Sequence, residues 1–187
     1  MSDSIKKWHE MQEDKNWTTN DTGNQKIIYT EVKKVLDVCC SVKGMWFDKQ
    51  DKRALFIDKR KETHIDVYPC GTKTNIIDPD VIGDFTDIKQ PDNSFWHVVF
   101  DPPHISQKTE SQITKKYGSL QGDWKDMLSK GFKECFRVLK PNGTLIFKWS
   151  DVQFPAKEIL KLTDYKPLYG HKSGKKMNTH WICFIKD

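Results

Sequence analysis

Short apolar runs bounded by polar residues recur along the first hundred residues of this chain. Each run is five to seven residues long and rich in Val, Ile, Leu and Phe, which is typical of buried strands. The runs cover residues 34–40, 54–58, 81–85 and 95–100. An acidic residue lies within or directly after each of them.

The second half of the chain alternates predicted helices and strands. Residues 119–139 place apolar side chains at helical spacing, and Lys-Pro-Asn-Gly at 140–143 is typical of a helix end. Three further strands are predicted at 144–149, 165–169 and 180–186, and a short helix is predicted at 156–163. The alternation predicts a Rossmann-like α/β fold with a mostly parallel seven-stranded sheet, helices on both faces and an antiparallel C-terminal hairpin.

Length and composition indicate one globular domain. The 187 residues can bury a single core, so we expect a domain at 27–187 preceded by a polar helix-and-loop extension at 1–26. No apolar run is long enough to span a membrane and no apolar signal core is present, so a cytoplasmic location is expected. The five cysteines form no Cys-x-x-Cys pair and the six histidines are scattered, so we expect reduced thiols and no metal site.

Positive charge is concentrated in the second half of the chain. Residues 101–187 contain 16 Lys and Arg against 9 Asp and Glu, whereas residues 1–100 contain 15 against 17. This asymmetry indicates an anionic partner, and a nucleic acid is the expected one. The candidate contacts lie in and after the basic connection that precedes the last strand: Lys172, Lys175, Lys176 and His180. An ordinary solvated hairpin connection with the same lysines is an equal alternative.

The acids at the strand ends predict a binding site for a nucleoside. Because parallel strands open into a common crevice at their carboxyl ends, Asp37, Asp58 and Asp84 are expected to lie close together. Asp58 follows Asp37 by 21 residues, a spacing that suits an acid accepting hydrogen bonds from a ribose diol. Asp84 is placed to meet an adenine amino group, and Phe85 is available to pack on the ring.

The loop after the first strand indicates that this nucleoside carries no phosphate. Residues 39–44 lack the Gly-x-Gly-x-x-Gly pattern that cradles a pyrophosphate. We expect Cys39, Cys40 and Ser41 to line the pocket, where a positive sulfonium would tolerate the nearby carboxylate of Asp37. S-adenosyl-L-methionine is the cofactor that meets these requirements.

The Asp-Pro-Pro-His sequence at 101–104 ends the fourth strand abruptly. Two prolines cannot donate to a sheet ladder, so the strand stops and presents the Asp101 carboxylate at the carboxyl edge of the sheet. Such a corner can hold an amino group between Asp101 and the Pro102 carbonyl, with His104 as a flat ring for stacking. Pro103 completes this candidate catalytic motif, and Asp101 also borders the expected cofactor pocket.

These motifs resemble class I S-adenosylmethionine-dependent methyltransferases, in particular small phage and prophage-type members. The similar segments follow the family's order along the chain: 35–40, 45–49, 84–86, 91–95, 98–104, 116–118, 138–143 and 179–181. The corner at 101–104 resembles the Asp/Asn-Pro-Pro-aromatic motif of enzymes that methylate exocyclic amino groups of bases. The resemblance implies N-methylation of a base in DNA or RNA, with S-adenosyl-L-homocysteine as the second product. Two residues depart from the family pattern, since Ser41 replaces a glycine and His104 replaces Tyr, Phe or Trp.

Two other functions are compatible with the same motifs. The turn at 91–95 is shared with small-molecule methyltransferases, so a small molecule or a protein side chain is an alternative acceptor. A module that binds S-adenosyl-L-methionine without catalysis is the second alternative.

Overall fold

The structure, a computed structural model, describes residues 33–106, 112–173 and 178–187. The extension predicted at 1–26 lies outside these residues.

One seven-stranded sheet dominates the described part of the chain. The strands are β1 (Val35–Asp37), β2 (Ala54–Asp58), β3 (Glu62–Tyr68), β4 (Gly71–Ile77), β5 (Val81–Ile82), β6 (Phe95–Phe100), β7 (Leu139–Ser150), β8 (Tyr169–Ser173) and β9 (Thr179–Ile185). Seven of them form the sheet in the order β5-β2-β1-β6-β7-β9-β8. All pairs from β5 to β7 are parallel, whereas β9 runs antiparallel to β7 and β8. The prediction of a mostly parallel sheet with an antiparallel C-terminal hairpin is confirmed.

The strands β3 and β4 form a separate antiparallel hairpin where the sequence predicts only a polar connection. Two of the three buried residues of this hairpin are polar, Asp66 and Asn75 (the third is Ile77), and Asn75 Nδ2 donates to Asp66 Oδ2 at 2.6 Å. Ile65 and Val67 are exposed on the other face. Because this alternation reverses the usual hydrophobic-inward arrangement, the hydrophobic pattern did not indicate these strands.

Several other elements differ from their predicted bounds; β1 and β5, for example, are shorter than the runs at 34–40 and 81–85. The strand predicted at 165–169 is observed as β8, which begins only at Tyr169 and pairs with β9. Residues 140–143, predicted as a helix end, already belong to β7, because β7 starts directly at Leu139. Asn142 has a left-handed backbone (φ 61°) in this irregular first part of the strand, where the pairing with β6 shifts register.

Three α-helices are described: α1 (Gln112–Tyr117), α2 (Trp124–Val138) and α3 (Ala156–Ile159), which continues as a 3-10 turn at Leu160–Leu162. The helix predicted at 119–139 starts later than expected because Asp123 caps α2, its Oδ1 accepting from Asp126 N at 3.1 Å. No helix in the described ranges combines the length and the apolar character that a membrane span requires.

Aromatic side chains form the core between α2 and the sheet. Phe132 of α2 packs against Phe100 of β6 and Phe147 of β7, with ring centroids 5.3 and 4.9 Å apart. All three rings are buried. Since β6 ends at Phe100, this packing positions the residue that directly precedes Asp101.

Gly131 allows the close approach of α2 to this core. A Cβ at this position would lie 2.7 Å from Phe85 Cδ2 and 2.8 Å from Phe100 Cζ. Both rings are buried, so neither can give way without disturbing the packing around β6.

Replacing Gly131 with alanine is therefore expected to destabilise the fold. Overpacking costs typically about 1–3 kcal/mol, which exceeds the helix-propensity gain of about 1 kcal/mol that alanine brings. Gly44→Ala is a matched control, because its added Cβ would only meet Val42 Cγ2 at an ordinary 3.8 Å. Urea unfolding should show a lower free energy of unfolding for Gly131→Ala alone, and equal values for the two variants would contradict the packing argument.

Candidate active site

The carboxyl ends of β1, β2 and β6 meet at one edge of the sheet. The chain passes from β1 to β2 on one side and returns to β6 on the other side of β1, which creates a crevice between these connections. Asp37 ends β1, Asp58 ends β2, and Asp101 follows β6. The structure thus brings these three predicted residues together, and the charges of Asp58 and Asp101 both act on Asp37.

Asp37 is almost completely buried at the centre of this edge. Its Oδ2 accepts from Trp46 Nε1 at 2.7 Å, and its Oδ1 accepts from the Cys39 backbone N–H at 3.3 Å. Burial raises the pKa of Asp37 from its ordinary value to about 7, although both hydrogen bonds favour the ionised form. A cation bound beside Asp37 would stabilise its charged form.

Ser41 adopts the backbone conformation that a glycine would adopt more readily. Its φ of 47° lies in the left-handed region, which is uncommon for a non-glycine residue. The Ser41 backbone N–H donates to Asp58 Oδ2 at 2.9 Å, and its hydroxyl donates to the Lys116 carbonyl at 2.6 Å. Burial raises the pKa of the neighbouring Cys39 and Cys40 thiols, which makes both poor nucleophiles.

Asp58 is paired with Arg60, a residue that sequence reasoning missed. The Asp58 Oδ1 accepts from the Arg60 backbone N–H at 3.0 Å and from its Nε at 3.2 Å. The other end of the guanidinium donates to the carbonyls of Lys115 and Lys116 at 2.9 and 3.2 Å. Arg60 therefore links the end of β2 to the last turn of α1.

A small cavity lies among these groups, with a volume of about 30 Å³. Its lining includes Val38, Cys39, Asp58, Asp84, Pro103 and Tyr117. Asp84 Oδ1 accepts from the Thr86 backbone N–H and hydroxyl, both at 2.9 Å. Phe85 also borders the cavity, but its ring is buried against Phe100 with centroids 5.4 Å apart, so it offers little surface to a ligand.

A second cavity of about 350 Å³ lies on the other side of the Asp-Pro-Pro-His corner. Its lining contains three of the four corner residues and four residues from other elements: Asp101, Pro102, His104, Tyr117, Lys148, Thr179 and Trp181. We call it the acceptor pocket. Its volume falls within the range of small-molecule sites, and three flat rings contribute to its wall.

An ion pair is part of this acceptor pocket. Lys148 Nζ lies 2.6 Å from Asp101 Oδ2, and both side chains are largely buried. Burial raises the pKa of Asp101, while the Lys148 charge opposes this shift. Burial also lowers the pKa of His104, so its imidazole is neutral at neutral pH.

Two of the predicted nucleic-acid contacts, Lys172 and His180, are described, and neither lines these two cavities. Lys172 is exposed on β8, and His180 Nε2 pairs with Asp151 Oδ2 at 2.6 Å. Both residues line a different cavity beside Tyr169. Lys175 and Lys176 lie outside the described residues.

The residues that sequence reasoning missed had weak signals. Trp46, Tyr117 and Trp181 belong to segments that carry the family resemblance, but those segments assign them no role. Lys148 interrupts the apolar run of β7, and only the parallel pairing of β6 with β7 brings it to Asp101. Within the described residues, no group of three or more His, Cys, Asp or Glu side chains could hold a metal ion.

The raised pKa of Asp37 makes a prediction about folding. The folded protein binds the Asp37 proton more tightly than the unfolded chain does. Protonation of Asp37 therefore stabilises the folded state, and this stabilisation is fully present below about pH 4 and lost as pH rises through 7. Asp37→Asn lacks this dependence. Between pH 5 and pH 8, wild type should lose on the order of 2 kcal/mol relative to Asp37→Asn in denaturant unfolding. The exposed control Asp87→Asn should follow wild type, and parallel curves for Asp37→Asn and wild type would contradict the raised pKa.

Comparisons with known proteins give the fold. No protein-family model and no curated protein sequence matches the chain. Among solved structures, a TehB-like SAM-dependent methyltransferase from Corynebacterium glutamicum is 12% identical and aligns over 83% of this chain and 81% of its own, with a TM-score of 0.51. A 1,6-didemethyltoxoflavin-N1-methyltransferase from Burkholderia thailandensis, with S-adenosylhomocysteine bound, is 11% identical over 81% and 70% of the two chains (TM-score 0.47). A candidate DNA modification methylase from Thermus thermophilus, complexed with S-adenosyl-L-methionine, is 22% identical over 56% and 53% (TM-score 0.40). The chain therefore has the Rossmann-like fold of the Corynebacterium SAM-dependent methyltransferase.

Proposed function

We propose that the protein is a methyltransferase that uses S-adenosyl-L-methionine to methylate an exocyclic amino group of a base in a nucleic acid. The observation that carries this proposal is the position of the 101–104 corner between two cavities. Pro103 lines the small cavity together with Asp58 and Asp84, whereas Asp101, Pro102 and His104 line the acceptor pocket. Tyr117 contributes to both, so a donor and an acceptor could meet at this corner.

The residues of the first cavity suit a phosphate-free adenosine cofactor. Asp58 would hold the ribose hydroxyls, Asp84 the adenine amino group, and the loop from Cys39 to Ser41 the methionine portion. The buried carboxylate of Asp37 favours a cation and disfavours a pyrophosphate. A cavity of 30 Å³ has room for only one or two waters, so its lining has to open before adenosine can enter, and the Arg60 Nε that donates to Asp58 would compete with a ribose hydroxyl there.

The residues of the acceptor pocket suit an aromatic amine. When bound, S-adenosyl-L-methionine supplies an electrophilic methyl group. An amine conjugated with a ring is a weak nucleophile, so the ionised Asp101 carboxylate accepts its hydrogen bond and takes the proton that the nitrogen loses. His104, Tyr117 and Trp181 provide flat surfaces against which a base can stack.

Lys148 maintains the charge state that Asp101 needs for this role. A protonated Asp101 would donate a hydrogen bond instead of accepting one. Burial favours that protonated form, and the ammonium 2.6 Å away opposes it. We therefore infer that Lys148 is a positioning residue that acts through Asp101.

Cofactor binding is tested by titration calorimetry. S-adenosyl-L-methionine and S-adenosyl-L-homocysteine are expected to bind wild type, whereas NAD is not. Asp58→Asn should lose about ten- to hundredfold in affinity for both, because a charged hydrogen-bond acceptor is removed from a buried site. The exposed variant Asp87→Asn should bind like wild type. Tight binding of NAD, or unchanged affinity of Asp58→Asn, would contradict the assignment of this cavity.

Methyl transfer is tested with radiolabelled S-adenosyl-L-methionine and three acceptors: single-stranded DNA, duplex DNA and RNA. After enzymatic hydrolysis, the label is expected in N-methylated nucleosides. Asp101→Ala should slow this transfer by about a hundredfold or more, because the variant has no side-chain oxygen to accept the hydrogen bond of the amine. Label that enters only small molecules or protein would favour the alternative acceptors, and cofactor binding without any transfer would favour a non-catalytic module.

The role of Lys148 is tested by the pH dependence of kcat/KM. In Lys148→Met the pKa of Asp101 should rise further, so the acid limb of the profile should move to higher pH by about one unit or more. Lys148→Arg keeps the positive charge and should keep the acid limb near that of wild type. A loss of rate in Lys148→Met that is equal at every pH would instead indicate direct contact with the acceptor.

A further inference from the structure

A wide basic cleft lies beside the candidate active site, outside both cavities described above. It lies between the connection that joins β1 to β2 and the β3–β4 hairpin, and its volume is about 520 Å³. Four lysines line it: Lys43, Lys49, Lys73 and Lys116. We call this feature the lysine cleft.

The positive charge of the lysine cleft is not neutralised within the described residues. Asp78 is the one carboxylate of the described lining, and it pairs with Lys61 at 2.8 Å. That pairing lowers the pKa of Asp78. In residues 33–106, 112–173 and 178–187, no carboxylate pairs with any of the four cleft lysines. The described lining therefore carries a formal net charge of +3, from four lysines and one aspartate, which favours an anionic ligand.

Aromatic rings hold two of these lysines in place. Lys43 Nζ lies 4.1 Å from the centroid of the buried Phe56 ring, and Lys116 Nζ lies 4.8 Å from the Tyr117 ring. Such contacts orient an ammonium without removing its charge. Lys43 also has a left-handed backbone (φ 53°), an uncommon conformation for a non-glycine residue. The loop that carries Lys43 at the edge of the cleft therefore has a constrained backbone.

The lysine cleft adjoins the acceptor pocket through the end of α1. Lys116 lines the cleft, and the next residue, Tyr117, lines the acceptor pocket. The Lys116 carbonyl accepts from the Ser41 hydroxyl at 2.6 Å and from Arg60 Nη2 at 3.2 Å. The helix end that separates the two features is therefore tied to the same loop and the same strand end that form the candidate cofactor site.

We propose that the lysine cleft binds backbone phosphates of a polynucleotide whose target base enters the acceptor pocket. This inference rests on the proposed function and adds the surface along which the substrate runs. Lysine ammonium groups are point charges that suit phosphates and carry no information about base identity. Binding through this cleft is therefore independent of sequence and strongly dependent on salt.

The test is fluorescence anisotropy with a labelled single-stranded DNA oligonucleotide of about 20 nucleotides, titrated at several salt concentrations. The triple variant Lys43→Gln, Lys49→Gln, Lys73→Gln removes three positive charges and leaves Lys116 against Tyr117. It should weaken binding at least tenfold at low salt, and the slope of log affinity against log salt should fall by about two, since each lost phosphate contact removes about 0.7. Thermal unfolding checks that the variant remains folded.

A matched control separates the cleft from the overall charge. The variant Lys89→Gln, Lys130→Gln, Lys161→Gln removes the same charge from exposed positions outside the cleft and should retain the wild-type affinity and slope. Equal losses in the two triple variants would overturn the proposal, because they would reflect net charge alone.

Two competitors distinguish a polynucleotide from a single phosphate. Adenosine monophosphate and inorganic phosphate should displace the oligonucleotide only at concentrations far above its own dissociation constant. Displacement by either at comparable concentration would overturn the polynucleotide assignment. Cofactor calorimetry and the methyl-transfer assay keep this inference separate from the proposed function. If the protein binds the cofactor and transfers methyl groups but the cleft variant binds the oligonucleotide like wild type, only the proposal for the lysine cleft is overturned. If the cleft variant loses oligonucleotide affinity but the protein neither binds the cofactor nor transfers methyl groups, only the proposed methyl transfer is overturned.

Discussion

Three carboxylates lie at one edge of the sheet, two of them buried and Asp101 partly buried, and their charges constrain the groups around them. Asp58 is paired with Arg60, and Asp101 is paired with Lys148. Asp37 lies between them, and within the described residues its hydrogen-bond partners are the neutral N–H groups of Trp46 and Cys39. Burial raises its pKa to about 7, so a cationic ligand beside it would stabilise its ionised form.

The buried carboxylate of Asp37 connects the fold with the proposed use of a cationic cofactor. A sulfonium or an ammonium beside Asp37 is stabilised by the carboxylate, whereas a pyrophosphate there would be repelled. The same strand ends place Asp101 at the wall of the acceptor pocket, so the proposed cofactor and acceptor sites share one row of acids. The end of α1 connects the parts: Arg60 is bound to its last carbonyls, Tyr117 borders both cavities, and Lys116 begins the lysine cleft.

The sequence predicts those site residues that are positioned by the strand to which they belong. Asp37, Asp58 and Asp101 end apolar runs, and parallel pairing is sufficient to bring such ends together. Lys148 and Arg60 could not be assigned in this way, because each acts on a carboxylate that another element or a local turn positions. The hairpin of β3 and β4 was missed because two of its three buried residues, Asp66 and Asn75, are polar and form a hydrogen bond with each other.

The sequence by itself determined the class of fold, the order of the sheet's strands along the chain and the acidic character of its carboxyl edge. These properties follow from local hydrophobic runs and from chain-ending residues such as Pro102 and Pro103, which act without help from distant segments. The tertiary structure alone decided which charges neutralise one another and where unpaired positive charge collects. Ion pairs and clefts depend on distances between side chains from separate elements, and the order of residues along the chain does not encode those distances directly.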